Sequence, residues 1–194
     1  MTARQLSIAL VSCSATKADH ACPARELYWP SQLFRAAWGY CAAHVEHTMI
    51  LSAQHHLVDP EEALEPYSAT MQALGPSGRA DWAVFVARQL EERLNEQLGG
   101  AWPWDWAVSV QLHAGRLYTD QLIPRLLGLS GLLTVHNPLE GLQIGQRLAW
   151  YKRRVGAFCP SCKGIDLHPI EECATGQRVC RSCSHRWTLD PRVQ

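Results

Sequence analysis

Leu6-Ser7-Ile8-Ala9-Leu10-Val11-Ser12-Cys13-Ser14-Ala15-Thr16-Lys17 decides how this 194-residue chain folds. The first half reads as a short buried strand, and the second half turns abruptly into a polar loop. The same change of character recurs further on. His47 to Leu51 predicts a second strand, followed by the loop Ser52-Ala53-Gln54-His55-His56-Leu57-Val58-Asp59-Pro60. Trp106 to Leu112 predicts a third, followed by His113-Ala114-Gly115, and Leu132 to Val135 a fourth, running into His136-Asn137-Pro138-Leu139. Helical periods lie between them. Pro30 suits a first turn, and Leu33, Phe34, Ala37, Trp38, Cys41 and Val45 fall on one face. Trp82, Phe85, Val86, Leu90, Leu94 and Leu98 do so between Pro76 and Leu98, where Gly99-Gly100 stops the helix. Two more helices are expected over Tyr118 to Leu127 and about Leu142 to Arg154. Strand and helix in alternation predict an α/β fold of three layers, a parallel sheet covered on both faces. Ligands of such sheets bind beyond the carboxyl ends of the strands, where the polar residues of this chain collect.

The chain is long enough for one domain of about 150 residues and a small appendage. The expected boundary falls near Gly156, giving an α/β domain over 1–154 and a separate unit over 155–194. Cys159-x-x-Cys162 and Cys180-x-x-Cys183 have the spacing of two knuckles that place four thiolates around one zinc ion. That closed four-sulfur set leaves no open coordination position, so the zinc of this ribbon is expected to be structural and to supply folding energy to a segment without its own core. Cys13, Cys22, Cys41 and Cys173 stand outside the pairs and read as plain thiols. Eight cysteines without an export signal point to a reducing, cytoplasmic setting. No run of 18 apolar residues is present, which excludes a membrane-spanning helix, and the apolar stretch after Met1-Thr2-Ala3-Arg4-Gln5 is too short for a signal peptide. No obligate protein partner is implied.

The net charge of zero divides unevenly. Residues 1–146 hold nine Lys and Arg against 14 Asp and Glu; residues 147–194 hold nine against four. Arg147, Lys152, Arg153 and Arg154, with Lys163, Arg178, Arg181 and Arg186, can form a phosphate-facing surface. Lys17 is the only lysine in residues 1–151. It can bind phosphate as an ordinary cation, or attack a sugar if its pKa is depressed. Cys13 beside two serines is either a packed residue or a nucleophile with His55 as base. His55, His56 and His113 lack the spacing of a metal site and read as hydrogen-bonded pocket residues. Trp102, Trp104 and Trp106 read as core anchors around the third strand.

Two resemblances extend these readings. His136-Asn137-Pro138-Leu139-Glu140-Gly141-Leu142-Gln143-Ile144-Gly145 resembles the second signature loop of the uracil-DNA glycosylase superfamily, with one residue fewer between His and Pro. It implies His136 as the group that stabilises the departing base, and 137–141 as a clamp on the DNA backbone. Ser12-Cys13-Ser14-x-x-Lys17, Ala24-Arg25-x-Leu27-Tyr28, Ile50-Leu51-Ser52-Ala53-x-His55, Leu64-Glu65-Pro66-Tyr67 and Gly141-x-x-Ile144-Gly145 are similar to a bacterial and phage domain family. That family looks distantly like the peroxide-stress DNA-binding family and the corresponding domain of archaeosine synthases. His56 stands where its relatives often have Gly. Together these imply a uracil-DNA-glycosylase-like domain and a DNA glycosylase, a hydrolase that flips out and removes a base, a modified one, in repair or antiviral defence. The activating Asp of Gly-Gln-Asp-Pro-Tyr in the uracil enzymes is absent.

Such chemistry needs a water-holding group near the sugar and a donor at the departing base. The expected catalytic residues are His136, Asp59, Asn137, Lys17 and His55, with Glu65 as a further water-holding candidate. Ser12, Ser14, Tyr67, His113 and Arg147 are expected to bind substrate, and Tyr67 or Trp29 to stack the base. DNA is the expected partner, with RNA open. A base-exchanging transglycosylase or RNA-modifying enzyme would use the same pocket with a second substrate in place of water. A non-enzymatic DNA-binding stress protein would use only the ribbon and the basic helix.

Overall fold

The computed structural model describes residues 4–100, 105–129, 132–155, 177–179 and 186–188. In chain order the elements are β1 (Arg4–Ser12), β2 (Cys22–Pro23), α1 (Ala24–Leu27), α2 (Gln32–His44), β3 (His47–Ser52), β4 (His56–Val58) and β5 (Ala63–Leu64). There follow α3 (Gly75–Gln97), β6 (Trp106–His113), α4 (Arg116–Leu127), β7 (Leu132–His136), α5 (Ile144–Val155), β8 (Gln177–Val179) and β9 (Arg186–Thr188). The central sheet has the order β4-β3-β1-β6-β7. β3, β1, β6 and β7 are parallel, and β4 is an antiparallel edge.

The pleat of β1 explains the layering. Leu6, Ile8 and Leu10 point to one face, where they join Trp82, Val86, Leu90 and Leu94 of α3 and Leu122 and Leu126 of α4. Ala9 and Val11 point to the other, against Phe34, Ala37 and Cys41 of α2 and Tyr151 of α5. Where the strand is buried on both sides, from Ile8 to Val11, no polar position is to spare and the sequence is a continuous apolar run. Each fully buried Leu or Ile contributes roughly 1.5–3 kcal/mol.

The expected loop after β3 proves to contain a strand. Register pairs Ser52 with His56, Leu51 with Leu57 and Ile50 with Val58, so the connection is a three-residue hairpin turn. His56 sits at its left-handed position with φ 63°, the one non-glycine residue with positive φ among the described residues. A glycine there would adopt this conformation without steric cost. The histidine instead lays its ring 5.3 Å from that of Phe85, which is otherwise over half exposed and not on the buried face of α3. A second small ladder, β2 with β5, also lay hidden in the sequence.

Helix ends follow local chemistry. Pro30, expected in the first turn of α2, lies one residue before its cap, Ser31, whose Oγ accepts from the Phe34 N–H at 3.3 Å. Gly100, at φ 73°, turns the chain out of α3 and donates to Asn95 O at 2.8 Å. β8 and β9 pair antiparallel. Cys159, Cys162, Cys180 and Cys183, the expected zinc ligands, lie outside the described residues, as do Gly156, Trp102 and Trp104. Among the described residues no helix is long and apolar enough to cross a membrane.

Candidate active site

The connections leaving β1 and β6 run to opposite sides, β1 towards β3 and β6 towards β7. The carboxyl ends of these adjacent strands therefore frame a switch-point crevice. A cavity of about 190 Å³ occupies it, lined among others by Ser12, Cys13, Ser14, Phe34, His113, Leu139, Arg147 and Tyr151. No Asp or Glu is among its described lining residues.

His113 is only 2% exposed. Its Nε2 lies 3.3 Å from Gln111 Oε1, an acceptor, and its Nδ1 lies 2.8 Å from Tyr151 Oη. The network thus assigns the proton to Nε2 and makes the Tyr151 hydroxyl the donor to Nδ1. Burial drives the His113 pKa down to about 4, and the neighbouring His44 pushes the same way. Burial raises the Tyr151 phenol. Both groups are neutral at pH 7. Arg147 is anchored to backbone: Nε donates to Leu142 O at 2.8 Å and Nη1 to Ala114 O at 3.2 Å. No carboxylate lies within ion-pair distance of it among the described residues.

A polar cluster adjoins the crevice on the β3 side. Cys13 extends the ladder beyond β1, its N–H donating to Leu51 O at 2.8 Å. Its Sγ lies 3.2 Å from Tyr118 Oη. The loop closes on itself where Lys17 Nζ donates to Ser14 O at 3.0 Å. That ammonium also sits 4.2 Å from the centre of the Tyr67 ring. Tyr67 Oη lies 2.7 Å from both Ser52 Oγ and Tyr28 Oη. Ser52 Oγ already accepts from the N–H groups of His55 at 2.8 Å and Gln54 at 3.2 Å. Its own proton must go to Tyr67, which in turn donates to Tyr28. Burial lifts Tyr28 to about 12 and raises Tyr67 and Tyr118 as well. Burial lowers Lys17, and the nearby Cys13 works against that shift.

The expected site residues therefore separate into groups. Ser12, Ser14, His113 and Arg147 line the crevice. Lys17 and His55 meet at Tyr67, the His55 ring standing edge-on 5.1 Å from it. Tyr67 is wedged beneath the lysine and bonded at its hydroxyl, so it serves the cluster and is not a crevice wall. His136 ends β7 beside Gln111 and is exposed, outside the cavity lining. Asn137 is partly buried, with Oδ1 inaccessible and unpartnered among the described residues. Asp59 is exposed and accepts from the Glu61 N–H at 2.9 Å; because β4 runs antiparallel, it leads away from the crevice. Glu65 is exposed, and Trp29 lines a neighbouring groove.

Sequence reasoning missed Phe34 and Tyr151 as crevice walls, and Tyr28, Ser52 and Tyr118 as members of the cluster. Ser52 and Tyr28 stood inside quoted motifs, but Tyr118 and Tyr151 carry no local signal beyond sitting in helices.

Fold and crevice define the class: a doubly wound α/β domain with a small polar pocket at its switch point. The chain belongs to DUF6884, a family of unknown function, whose profile matches residues 8–153. That span contains the crevice and the cluster and stops before the cysteine pairs. No curated protein and no solved structure matches the chain.

Proposed function

We propose that the protein is a DNA glycosylase that hydrolyses the N-glycosidic bond of a modified base. The observation that carries this is the switch-point cavity of about 190 Å³, with Phe34 and Tyr151 as aromatic walls and His113 and Arg147 as polar groups. Sites for whole drug-sized ligands run to about 300–1,000 Å³, so this one suits a single ring system whose sugar and phosphates stay outside. Breaking the bond leaves the electron pair on the base and cationic character on the sugar. The His113 Nε2–H, held only by its 3.3 Å contact with Gln111, is the donor for the departing base. The fixed Arg147 guanidinium offsets charge building there. The water-holding role falls to Asn137 by its place in the loop after β7, two residues before the Leu139 wall; its Oδ1 is buried here and must turn outward to reach a water. His136, Lys17 and His55 act from outside the pocket on the sugar and phosphates. The uracil-DNA-glycosylase-like resemblance supports the same reading. Zinc belongs to the proposal as a structural ion on the four cysteines, a placement supported by their spacing and by Cys180 and Cys183 falling between the paired β8 and β9.

The test is incubation of the full chain with DNAs carrying different base modifications, followed by mass spectrometry for free base and alkali cleavage for abasic sites. His113→Gln should reduce release about 10²-fold, the lower end for disturbing a fixed hydrogen-bond donor to developing negative charge. Salt-sensitive DNA binding without free base from any substrate would refute the enzyme and favour a binding protein using the basic end of α5, where Arg154 stacks on Trp150 at 4.0 Å.

A further inference from the structure

A groove of about 610 Å³ lies beside α1, lined by His20, Cys22, Arg25, Trp29 and Arg35 among others. It is some three times larger than the crevice, and its lining is continuous in sequence with the crevice's. Trp29 and Pro30 face the groove, while Ser31, Leu33 and Phe34 line the crevice. Adjacent residues of one turn thus serve two openings, and consecutive Cα atoms are only about 3.8 Å apart.

Resting on the glycosylase reading, we propose that this groove is the subsite for the nucleotide next to the one whose base enters the crevice, with its base stacked on Trp29. Trp29 is 37% exposed, although large apolar side chains in this domain are mostly buried. Its ring has no aromatic or cationic partner among the described residues. Its backbone, however, is pinned. The N–H donates to Glu26 O at 3.0 Å, and the carbonyl accepts from Arg35 Nη1, which also donates to Pro30 O at 3.2 Å. An indole with an open surface on a pinned backbone is a stacking platform, because the main chain carrying it has little entropy left to lose when a base covers the ring.

Charge gives the subsite its character. Arg25 pairs with Glu61 at 2.8 Å and reaches Glu26 at 3.9 Å, and His20 pairs with Asp19 at 2.9 Å. Arg35 has no carboxylate within ion-pair distance among the described residues and gives Nη1 to the Trp29 and Pro30 carbonyls, so the groove holds one uncompensated cation and is not a concentrated cationic surface for phosphate. Its grip comes from the ring, and stacking is tolerant of base identity. Selection of the modified base stays with the crevice.

The experiment uses the full chain and an end-labelled single-stranded DNA of about 12 nucleotides, within the usual range of single-strand site sizes. Fluorescence polarisation is read for wild type, Trp29→Ala and Trp29→Phe. Trp29→Ala should weaken binding about tenfold, equally at low and high salt, while Trp29→Phe stays within about threefold and melts like wild type. Replacing one base of the oligonucleotide by an abasic analogue should cost wild type a similar factor and Trp29→Ala nothing further. Wild-type affinity in Trp29→Ala, losses that multiply, or no binding of this DNA by wild type would each overturn the subsite. The base-release assay separates the two proposals. Release that is indifferent to Trp29 removes the subsite alone, and Trp29-dependent stacking without release removes the glycosylase alone.

Discussion

His113 makes the protein acid-sensitive in a window set by its own burial. The folded chain holds it neutral down to about pH 4, against an ordinary value of 6.5. Between those two values the unfolded chain binds more protons than the folded one, so stability rises with pH. The contribution is complete above about pH 6.5 and is lost as pH falls towards 4. The gap corresponds to about 3 kcal/mol. At 2% exposure the imidazole has almost no solvent to soften that figure. His44, Tyr40, Trp150, Tyr151 and Gln111 surround it, and none is a carboxylate that could stabilise an imidazolium. The perturbation is His113→Gln, a neutral amide able to keep a partner for the Tyr151 hydroxyl. Urea unfolding, followed by tryptophan fluorescence from pH 7.5 to pH 4, gives ΔG for both chains. Wild type should lose about 3 kcal/mol more than the variant, equivalent to roughly 6–12 °C in Tm for a chain of this size. Asp19 and Glu46, both exposed with lowered pKa values, titrate identically in the two chains and cancel in the difference. Parallel pH profiles for the two chains would refute the assignment of a buried, neutral His113.

Three further outcomes are expected. Ser52→Ala removes the acceptor of two backbone N–H groups and the donor to Tyr67, all within the cluster, and should cost about 3 kcal/mol in urea unfolding; an unchanged midpoint would show the hydroxyl to be dispensable. Lys17→Ala should lower DNA affinity and reduce the slope of log K against log salt by about 1, with no adduct trapped by borohydride in wild type, as befits a phosphate-binding cation packed on a ring; a trapped adduct that requires Lys17 would reverse that role. The purified chain should carry one zinc per molecule, released by titrating thiols, and Cys162→Ala should lose it; full zinc content in that variant would exclude the four-cysteine site.

The layered α/β architecture was legible because it rests on local patterns. A strand segment covered on both faces, such as Ile8 to Val11 of β1, must be apolar throughout, and a helix covered on one, such as α2, must repeat every three to four residues. β4 was not legible, because Leu57 and Val58 are too short a run to outvote the polar residues around them. Its direction follows from the three-residue turn that pairs Ser52 with His56, whose positive φ is uncommon outside glycine and leaves no mark in hydropathy.

The candidate site was legible only where a strand end announced it. Ser12, Ser14 and His113 follow directly from the rule that crevices open at carboxyl ends, and Arg147 from the basic helix after β7. The same rule gave His136 and Asp59 equal standing, since it treats every strand end alike. Strand order breaks that equality. β7 is an edge, so its end is exposed, and β4 runs the other way, so the residue after it points off the site. Among the described strands only β1 and β6 have crossovers that diverge, and the crevice opens at their ends. The walls come from further still: Phe34 and Tyr151 lie on α2 and α5, which pack against each other across the open end. Tyr151 reaches His113 across 38 positions of sequence. What makes that histidine chemically distinct is the partner and the burial, and both are properties of packing, which no local reading of His113-Ala114-Gly115 contains.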